Sequence, residues 1–600
     1  MAPTESSPPK PSIAELYGER LRAREARLQR LEREHARMGS LRLVLAGLFV
    51  AVAAASGRFV AVAPAWMLLP AAGFAAAVLH HLRVRRRRES ARHAVDFYRA
   101  GLDRLRGEWR GTGRSGLEFD DPSHVYAADL DLFGPGNLFE LLCAARTRMG
   151  EEQLARWLLA PAPLGTIRDR RGSIEELRDR LSLREDWATT GDAAPIAVRA
   201  DRLTGWARAP NRLDRPWIRI GARALPLLAV LTAALWGIFG IASPFLAVVL
   251  VEGVVWHALK APIDAAIAAV ESAYEDLKNL GQLIRRIEAE KFGSPRLGVL
   301  MGALSSRTGG ASASLSRLAT LVNLVESRRN PLLGPLMLVV LYPLQTALAA
   351  ERWRRAHGEA MAGWLTALGE IEALLSLSRY AYEHPEAPFP EFVEGPAIFR
   401  ASSLGHPLIP AASRVSNDVD ISGTARLLLV SGSNMSGKST LLRAVGVNTV
   451  LAMAGAPVCA QRLTLTPLGV GASIRINDSL HQGSSRFYAE ITRLKHLLEP
   501  AALPTLFLLD ELLQGTNSAD RRIGAQGVAR ALVGRGAIGL ISTHDLALTE
   551  IAGLAPGTLV NVHFQDELRD GRLVFDYRLR PGVVTRSNGV ELMRSIGLEV

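Results

Sequence analysis

The chain has 600 residues, too many for a single hydrophobic core, so several domains are expected. Hydrophobic residues make up 48% of it, which is high for a soluble enzyme and low for a pure transporter, and favours a protein that is partly globular and partly membrane-embedded. The formal charge is +12, but almost all of the cationic residues are arginine. Because an arginine-rich, lysine-poor composition often reflects genome base composition, the charge is only weak evidence for nucleic-acid binding.

The cysteine content is very low. Cys143 and Cys459 are the only cysteines in the sequence, and they lie far apart along the chain. This excludes a disulfide framework or a cysteine-based metal cluster and indicates a reducing compartment.

The N-terminal segment, residues 1–40, is predicted to be a disordered Pro/Ser-rich start followed by a charged, solvated helix. Two apolar stretches follow at 41–56 and 59–82, separated by Gly57 and Arg58. A helix needs about 20 apolar residues to cross a bilayer, a length that the second stretch reaches and the first approaches. An arginine is costly at mid-bilayer, so Arg58 marks a turn at the far surface, and 41–82 is predicted to be transmembrane hairpin 1.

A run of arginines at 83–88 follows the second stretch. It fits the cytoplasmic flank of a re-entering helix. A solvated basic turn is a second interpretation, and a DNA-binding patch is a third. A cleaved signal peptide fits poorly because about 40 mostly polar residues precede the first apolar run.

A second pair of apolar stretches, at 224–240 and 241–259, predicts transmembrane hairpin 2 over 224–259. Arg219 and Arg223 precede it and Lys260 follows it, so both of its ends carry basic residues. A third apolar run, 331–350, contains Pro335, Pro343 and Gln345, and is interpreted as a buried or interfacial helix.

The remaining segments divide into helical and mixed regions. Residues 83–223 are predicted to be the first part of a helical core, with a strong helical pattern at 137–161, and 260–385 its second, lever-like part. From 386 to 600 short apolar strands alternate with helices, which is typical of an α/β domain. The predicted fold class is therefore a C-terminal α/β domain preceded by an all-α region that carries two transmembrane hairpins.

The strongest motif lies at the start of the α/β domain. An apolar strand at 427–430 runs into Gly432-Ser433-Asn434-Met435-Ser436-Gly437-Lys438-Ser439-Thr440, and a helix is predicted to begin there. This is a P-loop in its required context, in which backbone N–H groups and the helix N-terminus bind phosphate. Lys438 is expected to reach the β- and γ-phosphates of ATP, and the Ser439 hydroxyl to hold Mg²⁺.

Two further strands end in polar residues. The strand at 506–509 leads into Asp510 and Glu511, which suit the Mg²⁺ shell and the polarisation of the attacking water, respectively. The strand at 538–541 leads into Ser542, Thr543 and His544, and His544 is interpreted as a phosphate sensor. A surface acid pair and a structural histidine are the alternatives for these positions.

Several segments resemble the MutS family of mismatch-repair ATPases. The loop 432–440 resembles that family's G-P-N-M-x-G-K-S-T, with Asn434 and Met435 extending the match beyond a generic P-loop. The segments 405–407, 415–418, 478–490 and 510–518 resemble its H-P, N-D, D-D-L-x-x-G-x-S-x-F-x-x-E and D-E-x-x-x-G-T stretches. The resemblance is strong over 400–600 and weaker at 137–161 and 261–382, and it implies a MutS/ABC-like P-loop fold.

The resemblance also implies a homodimer whose ATP sites are completed in trans by the loop 483–487. Ser485 is the residue expected to reach the γ-phosphate of the partner's nucleotide. The L-S-G-G-Q signature of transporter ATPases is not present in the sequence.

The sequence also departs from the family pattern. A charged helix and a hairpin stand where MutS proteins carry the mismatch-reading domain with its F-x-E motif. Phe389-Pro-Glu391 and Phe392-Val-Glu394 satisfy those letters only by chance, in a linker. No β-rich clamp insertion is recognised, and the chain stops at Val600 without room for the family's C-terminal dimerisation helices. These departures count against mismatch recognition.

Topology follows from the ATPase motifs, which require cytosolic ATP. The basic flanks place the N-terminus in the cytosol as well, so an even number of crossings is expected. Four crossings give a multi-pass protein of the inner or plasma membrane with its ATPase domain in the cytoplasm. The favoured function is a membrane-anchored, dimeric ATPase that couples ATP turnover to DNA binding. The alternative is a membrane-associated mechanochemical or signalling ATPase without a nucleic-acid substrate.

Overall fold

The structure is a computed structural model that describes nine ranges of the chain: 12–58, 64–191, 200–271, 273–305, 310–326, 339–475, 486–499, 503–569 and 572–584. The first part of the chain, up to Glu383, is helical. Its α-helices, numbered along the chain, are α1 (Ile13–Arg58), α2 (Leu68–Arg106), α3 (Leu138–Leu142), α4 (Arg148–Leu159), α5 (Leu164–Arg178), α6 (Leu181–Thr189), α7 (Ala200–Arg208), α8 (Pro216–Phe239), α9 (Ser243–Glu271), α10 (Tyr274–Glu288), α11 (Pro295–Leu304), α12 (Ala311–Glu326) and α13 (Tyr342–Glu383).

The helices α1 and α2 pack against each other along their length. Each is continuous, so the charged part of α1 and the apolar part that follows it belong to one helix. Near the tip of this pair the large apolar side chains face outward, and Leu43, for example, is 76% exposed. The predicted boundary at 40/41 therefore falls inside a helix rather than between two elements.

The helices α8 and α9 form a second pair with the same character. Outward-facing apolar residues continue to the turn between them, where Ile238 and Phe239 are both exposed. At the other end the pair packs into a small core with Leu341 and Leu344, which adjoin and begin α13. One acidic residue, Glu252, is buried within the pair and has no hydrogen-bond partner among the described residues.

Five helices in the described ranges are long and apolar enough to cross a membrane, judged by length and composition alone: α1, α2, α8, α9 and α13. Helix α13 differs from the other four because 78% of its most apolar window is buried inside the protein. The expectation of a buried helix thus agrees with the structure for 342–350, whereas 331–338 lie outside the described residues.

Helix α13 runs through the centre of the helical region and contacts α4, α5, α7, α9, α11 and α12. Close packing on α4 depends on small residues. A Cβ on Gly369 would lie 2.9 Å from the carbonyl oxygen of Met149, so a larger residue there would push the helices apart. The carboxylate of Glu372 is wholly buried at the same contact and accepts from the backbone N–H groups of Arg146 and Thr147.

The C-terminal part is α/β. Its strands are β1 (Glu391–Phe392), β2 (Phe399–Leu404), β3 (Asn417–Ile421), β4 (Leu427–Ser431), β5 (Arg462–Leu465), β6 (Gly469–Ser473), β7 (Thr505–Leu509), β8 (Ile538–Thr543), β9 (Leu559–Arg569) and β10 (Arg572–Pro581). Its α-helices are α14 (Lys438–Ala454), α15 (Arg486–Leu497) and α16 (Ser518–Gly534).

Two sheets are formed, with strand orders β1-β5-β2-β3 and β10-β9-β4-β8-β7-β6. In the six-stranded sheet β9, β4, β8, β7 and β6 are all parallel, and only β10 is antiparallel to its neighbour. Strands of a covered parallel sheet are apolar throughout because both faces are buried, and every residue of β4 is buried. The carboxyl ends of β4, β7 and β8 consequently meet at one edge.

Candidate functional site at the sheet edge

The glycine-rich loop joins β4 to α14 at this edge. Gly432 has φ +153° and Gly437 has φ +104°, values in the region that favours glycine. A Cβ on Gly432 would also lie 2.8 Å from Oγ of Ser436 and 3.1 Å from the carbonyl oxygen of Phe564. Both glycines are therefore required by the path of the loop.

The lysine at the start of α14 points back into this loop. Nζ of Lys438 donates to the carbonyl oxygens of Gly432 and Ser433, at 2.9 Å in each case. Burial lowers the pKa of Lys438, and the nearby carboxylates of Glu511 and Asp510 partly offset that lowering. The ammonium group is thus held at the centre of the loop by neutral carbonyls, which are weaker partners than an anion would be.

Two hydroxyl groups in the loop lack partners. Oγ of Ser433 and Oγ of Ser436 are buried and make no hydrogen bond to any described residue. A buried polar atom without a partner is costly, and a bound phosphate would satisfy such donors. The loop therefore holds unpartnered hydroxyl donors beside its glycines, as a phosphate-binding loop requires.

The acidic pair follows β7 directly. Oδ1 of Asp510 accepts a hydrogen bond from the Ser542 hydroxyl at the end of β8. Glu511 has φ +50°, and its backbone N–H donates to the carbonyl oxygen and the hydroxyl of the same Ser542. Ser542 thus fixes both members of the pair, although the sequence analysis gave it no role of its own.

The carboxylate of Glu511 lies between three other polar side chains. Its Oε1 is 3.8 Å from Nζ of Lys438 and 3.2 Å from Nδ1 of His544. Its Oε2 accepts from the side-chain amide of Gln514. The structure therefore brings Lys438, Glu511 and His544 together, and the roles assigned to them from the sequence remain predictions.

A cavity of ≈ 400 Å³ adjoins the loop and extends toward β3 and β10. Three of the residues that line it are Lys438, Glu511 and Tyr577. The ring of Tyr577 stands over the loop, and a Cβ on Gly437 would lie 3.2 Å from its Cδ1. The cavity thus has a charged end at the loop and an aromatic wall.

The side chain of Asn417 holds Tyr577 in place. Its Nδ2 donates to the Tyr577 carbonyl oxygen at 3.0 Å, and its Oδ1 accepts from the Leu579 N–H at 2.7 Å. These bonds span the irregularity where the β9–β10 register shifts, and Tyr577 has φ +55° there. The sequence indicates Asn417 only as part of the N-D segment and gives no signal for Tyr577.

The side of the cavity formed by the segment after β2 contains His406. This side chain is buried, and its Nδ1 accepts from the Leu408 N–H at 3.3 Å. Burial lowers the pKa of His406 to about 4, with smaller contributions from Arg443 and Arg414. His406 is therefore neutral at physiological pH.

The remaining predicted residues have varied positions. Ser439 and Thr440 line the cavity at the start of α14. Asn434 and Met435 are exposed at the loop tip, and Met435 is 84% exposed. Ser485, predicted to act in trans, lies outside the described residues.

A buried aspartate joins the residues that follow β6 to helix α15. Oδ1 of Asp129 accepts from the N–H groups of Ile474 and Arg475 at 2.7 and 2.8 Å, and its Oδ2 accepts from Arg493 at 2.6 Å. Ile474 and Arg475 precede 476–485, and Arg493 follows it on α15. An aspartate of the helical region thus holds Ile474 and Arg475, which follow β6, together with Arg493 of α15, a connection that no local sequence pattern indicates.

Helix α15 also contacts the residues that follow the acidic pair. Glu490 is buried, and its Oε1 accepts from the Leu513 N–H two residues after Glu511. A Cβ on Gly515 would lie 2.8 Å from Cβ of Phe487. The start of α15 and the residues after Glu511 therefore pack as one unit.

Comparison with known proteins identifies relatives of this chain. Residues 428–599 match MutS domain V. The DNA mismatch repair protein MutS of Myxococcus xanthus is 28% identical over 594 residues, which cover 88% of this chain and 62% of that protein. The protein of the same name from Exiguobacterium sp. is 29% identical over 76% of this chain and 58% of its own length. That from Thermus thermophilus is 34% identical over 42% of this chain and 30% of its length. The chain thus spans less than two thirds of the length of these relatives.

Proposed function

We propose that this chain, a MutS family member through its domain V, binds ATP with Mg²⁺ and hydrolyses it. The observation that carries the proposal is the convergence of Lys438, Glu511 and His544 at the carboxyl edge of the parallel sheet. The unpartnered hydroxyls of Ser433 and Ser436 support it, because they provide donors for phosphate within the glycine-rich loop.

The residues also fit the two ligands. The Ser439 hydroxyl and the Asp510 carboxylate are the oxygen groups suited to Mg²⁺, and both lie at the ends of elements that meet at this edge. When bound, the ion would neutralise charge on the phosphates. The ring of Tyr577 would take the adenine base, since it is an aromatic wall of the cavity beside the loop at Gly437.

Glu511 is proposed to orient the attacking water. Its carboxylate is restrained on one side by Gln514 and on the other by His544, so it has a fixed direction before any ligand binds. His544, which is partly exposed, would then respond to the γ-phosphate and pass that change to Glu511. Lys438 would exchange its two loop carbonyls for phosphate oxygens.

We further propose a homodimer in which Ser485 of one subunit completes the partner's site. The support comes from contacts made by residues on either side of the segment 476–485. Asp129 holds the residues on either side of 476–485, and Phe487 packs on Gly515 near the acidic pair. A change in this segment on contact with a partner would therefore reach Glu511 and the helical region together.

We also propose that the helix pairs α1–α2 and α8–α9 attach the chain to the membrane. The apolar tips of α1–α2 and of α8–α9 face outward, and nothing else among the described residues covers them. A bilayer would remove this apolar surface from water, with the ATPase domain on the cytoplasmic side. The buried α13 is not counted as a crossing, which leaves four.

Duplex DNA is the proposed partner, because the relatives are named DNA mismatch repair proteins and the chain matches 88% of its length to one of them. Contacts would be made to phosphates rather than to a mismatch. We name no DNA-contacting residue.

One observation favours the alternative, a mechanochemical ATPase that acts on the membrane without nucleic acid. Helix α2 begins at the apolar tip, and its other end is capped by Gly107, which lies against Pro410. Nearby, Arg110 donates to the Leu408 carbonyl oxygen at 2.7 Å, beside the segment that lines the nucleotide cavity. Motion at the site would thus be transmitted along α2 to the hairpin.

The test is the ATPase rate of the full chain in nanodiscs, measured with and without duplex DNA across a salt series. Stimulation that falls steeply as salt rises supports DNA as the partner, because phosphate contacts weaken with salt. A rate that does not respond to DNA at low salt, but changes with lipid composition, supports the alternative. No hydrolysis under any condition contradicts the ATPase proposal itself.

A further inference from the structure

A second cavity, of ≈ 360 Å³, lies between α2 and the helical core. It is separate from the site at the sheet edge and shares no lining residue with it. Its wall is unusual in charge, because five of its residues are arginines and only one is acidic. The lining residues include Asp96, Phe97, Ala100, Arg184, Trp187 and Arg379.

Two of the arginines are buried without a carboxylate partner among the described residues. Arg184 is 4% exposed and donates through Nη1 to the carbonyl oxygens of Leu177 and Arg178, while its Nε and Nη2 have no partner. Arg379 is 7% exposed and donates through Nη2 to the Leu141 carbonyl oxygen, while its Nε has no partner. Both guanidinium groups thus retain unused donors inside the protein.

The carboxylates near these arginines are already engaged. Glu383 forms a two-point pair with Arg104, at 2.6 and 2.8 Å, and Glu151 pairs with Arg114. Burial lowers the pKa of Arg379 to about 10, Arg104 adds to that lowering, and Glu383 offsets only part of it. A buried cation without a counter-ion is strongly unfavourable, so the cavity favours an anion.

We propose that this cavity binds a small phosphorylated molecule. Guanidinium groups recognise phosphate through paired N–H donors, and Arg184 and Arg379 both line the cavity without a hydrogen bond to a carboxylate among the described residues. The cavity volume is in the range of small-molecule sites, and Phe97 and Trp187 add aromatic surface on which a planar ring would lie. A nucleotide-like ligand combines the two features.

The position of the cavity excludes two other phosphate sources. Ala100, at the rim of the cavity, is 18 residues beyond Leu82, where the apolar stretch of α2 ends, and therefore roughly 27 Å from that end. A bilayer headgroup would not reach this distance along the helix. A pocket of this size between packed helices also has no room for a duplex. The ligand is therefore a free small molecule.

The test uses the full chain in detergent with Lys438→Ala, which removes phosphate binding at the glycine-rich loop, and omits Mg²⁺. The probe is inorganic pyrophosphate, titrated in a calorimeter at low salt. We expect saturable binding of one pyrophosphate per chain. No saturable heat up to about 10 mM would overturn the proposal, because a site with two unused guanidinium groups should bind more tightly than that.

Two matched variants locate the site. Ala100 is exposed at the cavity rim, so Ala100→Glu and Ala100→Gln add side chains of equal size and differ in charge. We expect Ala100→Glu to weaken pyrophosphate binding about tenfold or more and Ala100→Gln to change it less than about threefold. Equal affinities for the two variants would place the probe elsewhere and contradict the proposal.

A third variant works in the opposite direction. Asp96 is the acidic residue of the cavity wall and is exposed, so Asp96→Asn should leave folding unchanged and tighten pyrophosphate binding about threefold or more. Binding that is unaffected or weakened by Asp96→Asn would count against the site. Because every variant carries Lys438→Ala, these outcomes do not depend on the nucleotide site at the sheet edge.

Discussion

Nζ of Lys438 lies 3.8 Å from Oε1 of Glu511, and the same ammonium group donates to two carbonyl oxygens of its own loop. The lysine therefore links the loop after β4 to the acidic pair after β7. An entering phosphate would replace the two carbonyls with charged oxygens while leaving the contact to Glu511 in place. The loop lysine and the acid after β7 are thus in contact but belong to different elements, so each can be substituted separately.

Replacing Lys438 with Ala should abolish tight ATP binding. The ammonium group is the cation at the centre of the loop, and the loss of a charge-assisted contact to phosphate should weaken ATP by about 3 kcal/mol, roughly a hundredfold. Binding of a fluorescent ATP analogue measures this. Lys495→Ala, which removes an exposed lysine on α15, is the control and should bind normally.

Replacing Glu511 with Gln should separate binding from hydrolysis. The amide keeps the shape of the side chain but cannot act as a base, so ATP should bind within about threefold of normal while turnover falls about a hundredfold or more. Binding and single-turnover hydrolysis are measured on the same preparation, with the exposed Glu499→Gln as control. Normal hydrolysis by Glu511→Gln would show that another group activates the water.

Tyr577 should contribute to ATP affinity through its ring. We expect Tyr577→Ala to weaken ATP about tenfold and Tyr577→Phe to bind normally, because the ring rather than the hydroxyl faces the loop at Gly437. Pyrophosphate binding at the loop should be equal in both variants. A loss of pyrophosphate binding in Tyr577→Ala would mean that the ring supports the loop instead of the base.

The sequence predicted the parts of this site that depend only on residues next to each other along the chain. The strands at 427–430, 506–509 and 538–541 are short runs of apolar residues, and in a parallel sheet their polar ends must meet at one edge. The position of Tyr577 could not be predicted, because it depends on a shift in the β9–β10 register and on Asn417, 160 residues away. Asp129 is still more remote, at 345 residues from Ile474.

The helices with exposed apolar side chains were predictable to a similar extent. The length of the apolar runs identified the helices but not the residues at which they begin and end. The predicted division at residue 40 therefore falls within α1. Apolar length also could not distinguish α13 from a membrane helix, because burial by α4, α5 and other helices is a property of the tertiary fold. The arginine cavity likewise combines residues from distant helices, and no window of sequence reveals it.

The stability of the folded chain should fall as the pH is lowered from about 6.5 to about 4, partly because of His406. Its pKa is lowered to about 4 in the fold from an ordinary value of 6.5, so in this range the unfolded chain binds a proton that the folded chain does not. The shift corresponds to about 3 kcal/mol of unfolding free energy, present above pH 6.5 and lost toward pH 4.

His406→Asn tests this contribution. An asparagine can still accept from the Leu408 N–H two residues on, and it does not titrate. Urea unfolding at pH 7 and pH 5 should show a smaller loss of stability for the variant than for the parent chain. An equal loss in both chains would assign the pH dependence to other groups.

Asp129 should be needed for coupling rather than for nucleotide binding. It is 2% exposed and connects the helical region to both sides of the segment 476–485, while it touches no residue of the glycine-rich loop. Asp129→Asn keeps the shape but removes the buried charge that pairs with the partly exposed Arg493, a change that costs about 3 kcal/mol where such a pair is buried and less here.

We therefore expect Asp129→Asn to bind ATP normally and to hydrolyse it about tenfold more slowly, since the segment that carries Ser485 would lose its anchor. Analogue binding and steady-state turnover are compared with Asp121→Asn, an exposed aspartate whose side chain contacts only nearby Ser123. A parallel loss of ATP binding in Asp129→Asn would indicate general destabilisation of the domain instead. Normal turnover would show that the anchor of this segment does not limit the reaction.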